Sequence, residues 1–194
     1  MNNSTFIHKY FRSLINSEDT TADMTMGNGN DTFYLSKLSR KVYAFDIQEE
    51  ALINTRKRCQ NLNNIVYIKD NHLNFDKYIK EEVKLFVFNL GYLPGCSTEI
   101  ITESDNTLKT FIKAYEYLQD GYIAITFYRG HKGGNDEYIK IDDYIKKHGI
   151  SIQEKYREFK HANEPLSYII RKHISWVFQK PLQLSNMEVP GSYV

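Results

Sequence analysis

The chain has few cysteines, few prolines and little net charge, and it contains no long apolar run. Its 194 residues include two cysteines, four prolines and one tryptophan, and the formal net charge is +1. Two cysteines, Cys59 and Cys96, without a clustered pair of histidines make no zinc signature, and we expect both to be free thiols. No apolar segment approaches the ~20 residues needed to cross a bilayer. The sequence therefore predicts no metal site and no membrane span.

The amino terminus and the overall charge restrict location and partners. The first residues lack a basic region followed by an apolar one, so we expect no export and a cytoplasmic location. With a net charge of +1, any contact with nucleic acid must come from local basic groups rather than from the molecule as a whole. Such groups occur, for example Arg56-Lys57-Arg58, and each alone is typical of a solvated surface. The length indicates a single domain.

A glycine loop, residues 23–32 (DMTMGNGNDT), is the most informative stretch of the sequence. Gly27 and Gly29 have no Cβ, so the backbone can turn sharply there and approach a ligand closely. Seventeen residues after Gly29, the strand-like run 42–46 ends in Asp46. A carboxylate at a strand end can accept both hydroxyls of a ribose. The loop and the acid together predict a nucleotide-like ligand.

Thr32 separates two classes of such ligands. Asp31 and Thr32 offer N-cap chemistry to a following helix, whose amide end would point at the ligand. The dinucleotide fingerprint requires a third glycine where Thr32 stands. The loop instead matches the D-x-G-x-G-x-G type of S-adenosylmethionine enzymes, with Thr25 replacing the first glycine. We therefore predict S-adenosyl-L-methionine as the cofactor, with an ordinary glycine turn of an α/β protein as the structural alternative.

Strand and helix patterns alternate along the chain up to residue 149. The predicted strands are 21–26, 42–46, 65–69, 85–88, 122–128, 150–159 and 167–173, and the main predicted helices are 5–16, 31–38, 48–62, 105–118 and 135–147. The last two strands are joined by a link too short for a helix, so they form an antiparallel pair. This predicts a Rossmann-like α/β fold, with a seven-stranded, mostly parallel sheet and helices on both faces, as in class I S-adenosylmethionine-dependent methyltransferases. We expect one methyltransferase domain over 1–173 and a partly disordered tail over 174–194.

Polar residues stand at the carboxyl ends of all five predicted parallel strands, where open α/β sheets bind ligands. The candidate cofactor-binding residues at these ends are Asp23, Gly27, Asn28, Gly29, Asn30, Asp31, Thr32, Asp46, Ile47, Gln48, Asp70, Asn71, His72, Asn89 and Leu90. Each strand end alone is also explained as a turn, since Asn, Asp and Gly are common turn residues. Five such ends in succession favour a ligand site.

The segment Asn89-Leu90-Gly91-Tyr92, after the fourth strand, indicates the chemistry. Methyl transfer to an amine requires a neutral nitrogen whose lone pair lies in line with the sulfonium methyl. The Asn89 side-chain oxygen and the following backbone carbonyl can accept the amine hydrogens, and Tyr92 can stack on a base. This is the logic of the N-P-P-Y signature of amine-directed nucleic-acid methyltransferases, of which this chain keeps Asn89 and Tyr92 but lacks both prolines. An Asn-Gly turn after a core strand is the alternative.

Four motifs together resemble those of a small bacterial rRNA methylase family: DMTMGNGNDT, YAFDIQEEAL, FNLGYLPG and YRGHKGG. Its characterised members are similar to tRNA 5-aminomethyl-2-thiouridine methyltransferases. The resemblance covers roughly residues 5–172. It implies N-methylation of the 5-aminomethyl group of 2-thiouridine at the tRNA wobble position, with the tRNA anticodon loop as partner. It also implies that the cofactor is held by Asn28, Asn30, Asp46, Gln48, Asn71 and His72. Asn30 stands where many members have His, and Asn71 where Ser is frequent.

Several questions stay open from the sequence. Asn89, Tyr92 and His131 are the candidate catalytic residues. An aliphatic amine must lose a proton before attack, and His131, Asp23 or a water chain could take it, or desolvation alone could lower the pKa of the amine. The competing functions are an rRNA or other small-substrate methyltransferase, a nicotinamide oxidoreductase, which Thr32 disfavours, and a catalytically silent RNA-binding relative. A homodimer is compatible with the sequence.

Overall fold

The computed structural model describes residues 3–91, 104–130, 133–157 and 164–173. The strands are β1 (Thr20–Asp23), β2 (Lys41–Asp46), β3 (Ile65–Lys69), β4 (Leu85–Leu90), β5 (Gly121–Phe127), β6 (Ile152–Arg157) and β7 (Leu166–Lys172). The helices are α1 (Asn3–Leu14), α2 (Asn30–Ser36), α3 (Glu49–Arg58), α4 (Phe75–Tyr78), α5 (Ser104–Tyr117) and α6 (Gly134–Lys147), and a 3₁₀ turn (His72–Asn74) precedes α4. None of the described helices is both long and apolar enough to span a bilayer.

The seven strands form a single sheet in the order β3-β2-β1-β4-β5-β7-β6. Strands β1 to β5 pair in parallel, whereas β7 pairs antiparallel with both β5 and β6. The predicted class I fold, with its terminal antiparallel pair, is therefore confirmed. The strand order reverses between β1 and β4, and ligands of open α/β sheets bind at such a switch point.

The alternation of side chains along β4 builds a core on each face of the sheet. Leu85 and Val87 pack with residues of α1 and α2, including Phe11 and Leu35. Phe86 and Phe88 lie in the larger core on the opposite face, together with residues of α5 and α6. Since successive strand residues point to opposite faces, Asn89 shares the face of Leu85 and Val87. This periodicity directs Asn89 toward α1 and α2.

Several predicted boundaries differ from the structure by a few residues. The first strand ends at Asp23 rather than at residue 26, because the Asp23 Oδ1 accepts the Thr25 N–H (3.2 Å) and turns the chain there. The helix predicted over 48–62 ends at Arg58. The predicted N-cap at Asp31 and Thr32 is wrong, since α2 begins at Asn30 and is preceded by Gly29 in the left-handed conformation, with φ of 77°. The predicted tail, 174–194, lies outside the described residues.

Candidate active site

A cavity of about 380 Å³ lies at the carboxyl ends of the parallel strands, around the β1–β4 switch point. Its volume falls in the usual range for small-molecule sites. The predicted residues that line it are Gly27, Asn28, Asn30, Asp31, Asp46, Ile47, Gln48, Asp70, Asn71, His72 and Asn89. The lining residues that were not among the predicted site residues are Met24, Thr25, Met26, Gly91 and Tyr128. Residues distant in sequence thus meet at one site.

Four described residues of the predicted site do not line the cavity: Asp23, Gly29, Thr32 and Leu90. A Cβ at Gly29 would lie 2.8–2.9 Å from Thr55 atoms of α3, so this glycine permits close packing of the loop on α3 rather than on a ligand. Thr32 is buried and donates its hydroxyl to the Asp23 Oδ2 at 2.6 Å. Thr32, which stands where the dinucleotide fingerprint has its third glycine, therefore has a structural role through its hydrogen bond to Asp23.

Asp23 is a buried carboxyl group with few donors. Burial, followed by the negative charge of Asp31, raises the pKa of Asp23 to about 7, against the opposing effect of the hydrogen bonds from Thr32 and the Thr25 N–H. Because Asp23 is fully buried and does not line the cavity, it can affect a ligand only indirectly, through the residues that it holds in place. Its place favours support of the loop over direct proton transfer to a substrate.

Asp46 closes the glycine loop from the end of β2. Its Oδ2 accepts the Gly27 N–H at 3.1 Å, and its Oδ1 accepts the Gln48 N–H at 3.0 Å. Burial nevertheless raises the pKa of Asp46 above its ordinary value, although these backbone hydrogen bonds lower it. A carboxylate has about four acceptor sites, so Asp46 can brace the loop and still accept hydroxyl groups from a ligand.

His72 lines the cavity and carries an unpaired ring nitrogen that is buried beside it. Its Nδ1 lies 3.0 Å from the Met24 carbonyl oxygen. A carbonyl only accepts, so Nδ1 carries the hydrogen and Nε2 is a bare acceptor. Burial lowers the pKa of His72, which keeps the ring neutral. The Nε2 has essentially no exposed surface and no hydrogen-bond partner within the described part of the chain, so a ligand donor reaches it only if the lining around it shifts.

Asp70 and Asn71 are held by local hydrogen bonds. Asn71 caps the 3₁₀ turn by accepting the Leu73 N–H at 2.9 Å. Asp70 accepts hydrogen bonds from the Asn74 amide, the Tyr78 hydroxyl and the Asn71 N–H. Although burial alone would raise it, these donors lower the pKa of Asp70. The residues that follow β3 therefore form a negatively charged part of the cavity wall, held in place by these hydrogen bonds.

Asn89 is fixed at the end of β4 by two contacts. Its backbone N–H donates to the Thr25 Oγ1 at 2.7 Å, and its side-chain Nδ2 donates to the Asp31 Oδ2. Asp31 is held in turn by His8 of α1, whose Nε2 lies 2.7 Å from the Asp31 Oδ1. Within the described residues, the Asn89 Oδ1 accepts no hydrogen bond. The amide therefore keeps a free acceptor beside the cavity.

Tyr128 and Gly91 form the wall on the β5 side. A Cβ at Gly91 would lie 3.3 Å from the Tyr128 ring, so only a glycine lies comfortably against it. Burial and the charge of Asp31 raise the pKa of Tyr128, which therefore stays a neutral phenol. Its position directly after β5 was the signal that could have identified it. No comparable signal exists for His8, which reaches Asp31 from a separate helix. Tyr92 and His131 lie outside the described residues.

The charge of the lining has one sign. Among the described residues around the cavity, three are aspartates, Asp31, Asp46 and Asp70, and none is lysine or arginine. Across the described chain, no group of three or more His, Cys, Asp or Glu side chains could hold a metal ion. The cavity is thus complementary to a cationic organic ligand and unfavourable to a phosphate-rich one.

Comparison with known proteins identifies the family. The family model described as Putative rRNA methylase matches residues 42–170. The chloroplastic tRNA (mnm(5)s(2)U34)-methyltransferase of Arabidopsis thaliana is 31% identical over an alignment of 186 residues, and the match covers 84% of this chain and 65% of that protein. This chain therefore spans less than two thirds of the length of that relative.

Two solved structures share both fold and sequence with the chain. A Streptococcus mutans protein described as a putative methyltransferase, in complex with SAH, is 33% identical with a TM-score of 0.79, over 88% of this chain and 98% of that one. An rRNA methylase from Streptococcus thermophilus is 29% identical with a TM-score of 0.74, over 89% and 98% of the two chains. The chain therefore belongs to the Putative rRNA methylase family and has the fold of class I S-adenosylmethionine-dependent methyltransferases.

Proposed function

We propose that the chain is an S-adenosyl-L-methionine-dependent RNA N-methyltransferase that methylates the 5-aminomethyl group of 2-thiouridine at the tRNA wobble position. The observation that carries this proposal is the Asn89 amide, whose Nδ2 is engaged by Asp31 and whose Oδ1 has no partner among the described residues. A free amide acceptor beside the cavity can hold an amine hydrogen so that the nitrogen lone pair points elsewhere. The name of the Arabidopsis relative supports this substrate.

The predicted cofactor residues fit S-adenosyl-L-methionine, which when bound supplies an electrophilic methyl group on a sulfonium. Asp46 is placed to accept ribose hydroxyls, as acids at the second strand end do in this kind of sheet. His72 is a further lining residue, and its bare Nε2 can accept an N–H or O–H of the ligand if the lining around this enclosed atom opens on binding. The three aspartates of the lining are complementary to the sulfonium charge. Asn28, Asn30 and Gln48 supply further polar contacts.

The same lining argues against a nicotinamide dinucleotide. A pyrophosphate requires positive charge or an open helix N-terminus. Here the described residues around the cavity include no lysine or arginine, and Thr32 is hydrogen-bonded to Asp23 where the fingerprint has glycine. The oxidoreductase alternative therefore has no support in this site.

The RNA side of the proposal depends on residues that follow β4 and β5. Tyr92 as a stacking platform and His131 as a catalytic group stay predictions. Tyr128 offers a described aromatic ring at the same wall. A wobble base lies in a single-stranded loop, so it can be stacked and read without being extracted from a duplex. A cytoplasmic location and a catalytic domain over 1–173 complete the proposal.

The test is methyl transfer by the wild type and by Asn89→Ala to tRNA carrying 5-aminomethyl-2-thiouridine. We expect the substitution to lower kcat by about 100-fold or more, because a misplaced nucleophile loses orientation. Cofactor affinity, measured by calorimetry, should change little, since the contact is to the reacting nitrogen. Asn61→Ala, at an exposed asparagine outside the cavity lining, is the matched control and should behave as wild type.

Unmodified rRNA belongs in the same assay, because the family description and the Streptococcus thermophilus protein name rRNA. Transfer to rRNA in preference to the tRNA would replace the wobble uridine as substrate. Normal turnover by Asn89→Ala would contradict the proposal that Asn89 holds the substrate amine. Cofactor binding without transfer to any RNA would identify a catalytically silent relative.

A further inference from the structure

Asp31 is the one cavity-lining carboxylate that contacts Asn89 among the described residues. Its Oδ2 accepts the Asn89 Nδ2 hydrogen, and its Oδ1 accepts the His8 Nε2 hydrogen at 2.7 Å. The Asp31 side chain is 10% exposed and that of His8 is 23% exposed. Any nitrogen held by the free Oδ1 of Asn89 would therefore lie close to a carboxylate that is largely shielded from water.

We propose that Asp31 pairs with the substrate amine while the amine is still an ammonium ion, and that Asp31 takes its proton before methyl transfer. This inference rests on the proposed amine substrate. It assigns the proton acceptor that the sequence left open. It also assigns a substrate preference, since the neutral amino groups of nucleobases need no such acceptor whereas an aliphatic ammonium does.

The shielding of Asp31 from water explains why its carboxylate can take a proton from an ammonium ion. In water the ammonium form of an aliphatic amine is strongly favoured, but desolvation penalises both members of an ion pair. A neutral pair of carboxylic acid and free amine then becomes accessible without hydroxide from the solvent. The sulfonium charge of the cofactor in the same cavity disfavours the ammonium further. The free amine is thus formed beside the amide that orients it.

The step balances in protons and electrons. One ammonium N–H bond breaks, its proton moves to Asp31, and its electron pair stays on nitrogen as the lone pair. That lone pair forms the bond to the methyl carbon while the electrons of the carbon–sulfur bond stay on sulfur. The methylated nitrogen then carries the positive charge that the sulfonium has lost. Asp31 finally releases its proton to water.

Four groups from other elements interact with Asp31: His8 of α1, Asp23 of β1, Asn89 of β4 and Tyr128 after β5. The His8 ring itself stacks on Tyr34, with ring centroids 4.1 Å apart and an interplanar angle of 7°. Tyr128 follows β5 and Asp23 ends β1, and both interact electrostatically with Asp31. Asn89 of β4 is neutral. His8 is a positioning residue, because its hydrogen bond holds one carboxylate oxygen and leaves the other beside Asn89.

The test compares wild type, Asp31→Asn, His8→Ala and His8→Gln in methyl transfer to the aminomethyl tRNA between pH 7 and pH 9. The introduced amide keeps the shape of the side chain and can accept from Asn89 through its oxygen, while its NH2 group can donate to Nε2 in the other tautomer of His8, but it cannot take a proton. We expect Asp31→Asn to lose about 100-fold in kcat at pH 7 and to regain about tenfold per pH unit, because the amine must then lose its proton to solvent. The wild-type rate should change little with pH. His8→Ala should lose part of the rate, and His8→Gln, which can still donate to Asp31, should recover most of that loss.

A second measurement does not depend on turnover. With SAH in place of the methyl donor, wild type should bind the aminomethyl tRNA about tenfold more tightly than tRNA with unmodified 2-thiouridine, because the ammonium pairs with Asp31. Asp31→Asn should bind the two RNAs equally. Thermal unfolding and SAH calorimetry establish that the variant is folded and still binds the cofactor product.

The outcomes separate this inference from the proposed function. If wild type transfers no methyl group to the aminomethyl nitrogen, both are overturned. If wild type is active and Asp31→Asn matches its rate, or loses rate with an unchanged pH profile and unchanged RNA preference, only the proton-acceptor role of Asp31 is overturned.

Discussion

At the amino end of the sheet Glu81 accepts four hydrogen bonds, whereas at the carboxyl end the buried carboxyl group of Asp23 accepts two. The four donors to Glu81 are Thr20, Arg40, Lys41 and Tyr43. Burial alone would raise the pKa of Glu81, but these donors lower it to about 2. The pKa of Asp23, at the other end of β1, is raised to about 7. The length of one short strand separates the two environments.

The difference shows at which end of the sheet the protein neutralises its carboxylates with its own cations. The amino end carries its own cations, as the ion pair of Lys84 and Asp120 (2.8 Å) also illustrates. The described cavity lining at the carboxyl end carries carboxylates without lysine or arginine. Such an arrangement costs stability in the free protein and is compensated when a cationic ligand binds. The comparison therefore predicts opposite responses to substitution at the two ends.

The largest expected effect is on cofactor binding at the carboxyl end. Asp46→Ala should weaken S-adenosylmethionine binding by about 10- to 100-fold, because hydrogen bonds to a charged acceptor contribute roughly 1.5–3 kcal/mol. The variant also loses the brace on the Gly27 and Gln48 N–H groups. Titration calorimetry measures the change. Glu49→Ala, at an exposed neighbour paired with Lys69, is the control. Equal affinity of both variants would reduce Asp46 to a strand-end turn residue.

The amino end should respond in stability instead. Glu81→Gln should lower the free energy of unfolding at pH 7 by about 2 kcal/mol, since a depressed carboxyl pKa stabilises the folded state once the group is ionised. This contribution is present above the ordinary pKa of 4.5 and is lost as the pH falls through about 2. Urea unfolding of wild type and variant between pH 2 and pH 7 measures it. The exposed neighbour Glu82, changed to Gln, provides the control, and cofactor affinity should not change.

The effect expected at Asp23 has the opposite sign. A folded-state pKa raised from 3.8 to about 7 means that the folded protein binds a proton more tightly than the unfolded chain, so wild-type stability falls as the pH rises through that interval. Asp23→Asn cannot ionise, so its stability relative to wild type should increase by about 1 kcal/mol or more between pH 4 and pH 8. A relative stability that stays constant with pH would show that Asp23 titrates normally.

Much of this molecule could be predicted from its sequence because the signals are periodic or local. Alternating strand and helix patterns predicted the sheet and its antiparallel ending. The apolar run 85–88 predicted the central strand. Polar residues at five strand ends predicted most of the cavity wall, because parallel strands bring their carboxyl ends to one edge. Asn89 was identified for the same reason.

The remaining features depend on contacts that no local pattern encodes. The capping role predicted for Asp31 and Thr32 was wrong because their side chains are engaged by His8, Asn89 and Asp23, which are distant in sequence. The function of Gly29 depends on the approach of Thr55 from another helix. His8 lies on an amphipathic helix, where a lone histidine is indistinguishable from a surface residue.

The unpaired Nε2 of His72 has a consequence for the design of inhibitors. The Met24 carbonyl fixes the tautomer, so the ring offers a lone pair and no hydrogen at a buried point beside the cavity. Because this atom has essentially no exposed surface, a compound with a donor must displace the lining around it to gain the hydrogen bond, and an unsatisfied buried acceptor costs about 1–3 kcal/mol. A compound of the same shape with a methyl group or an acceptor there leaves that cost in place. A compound that opens this part of the lining and supplies a donor is therefore distinguished at this single atom from an analogue that does not.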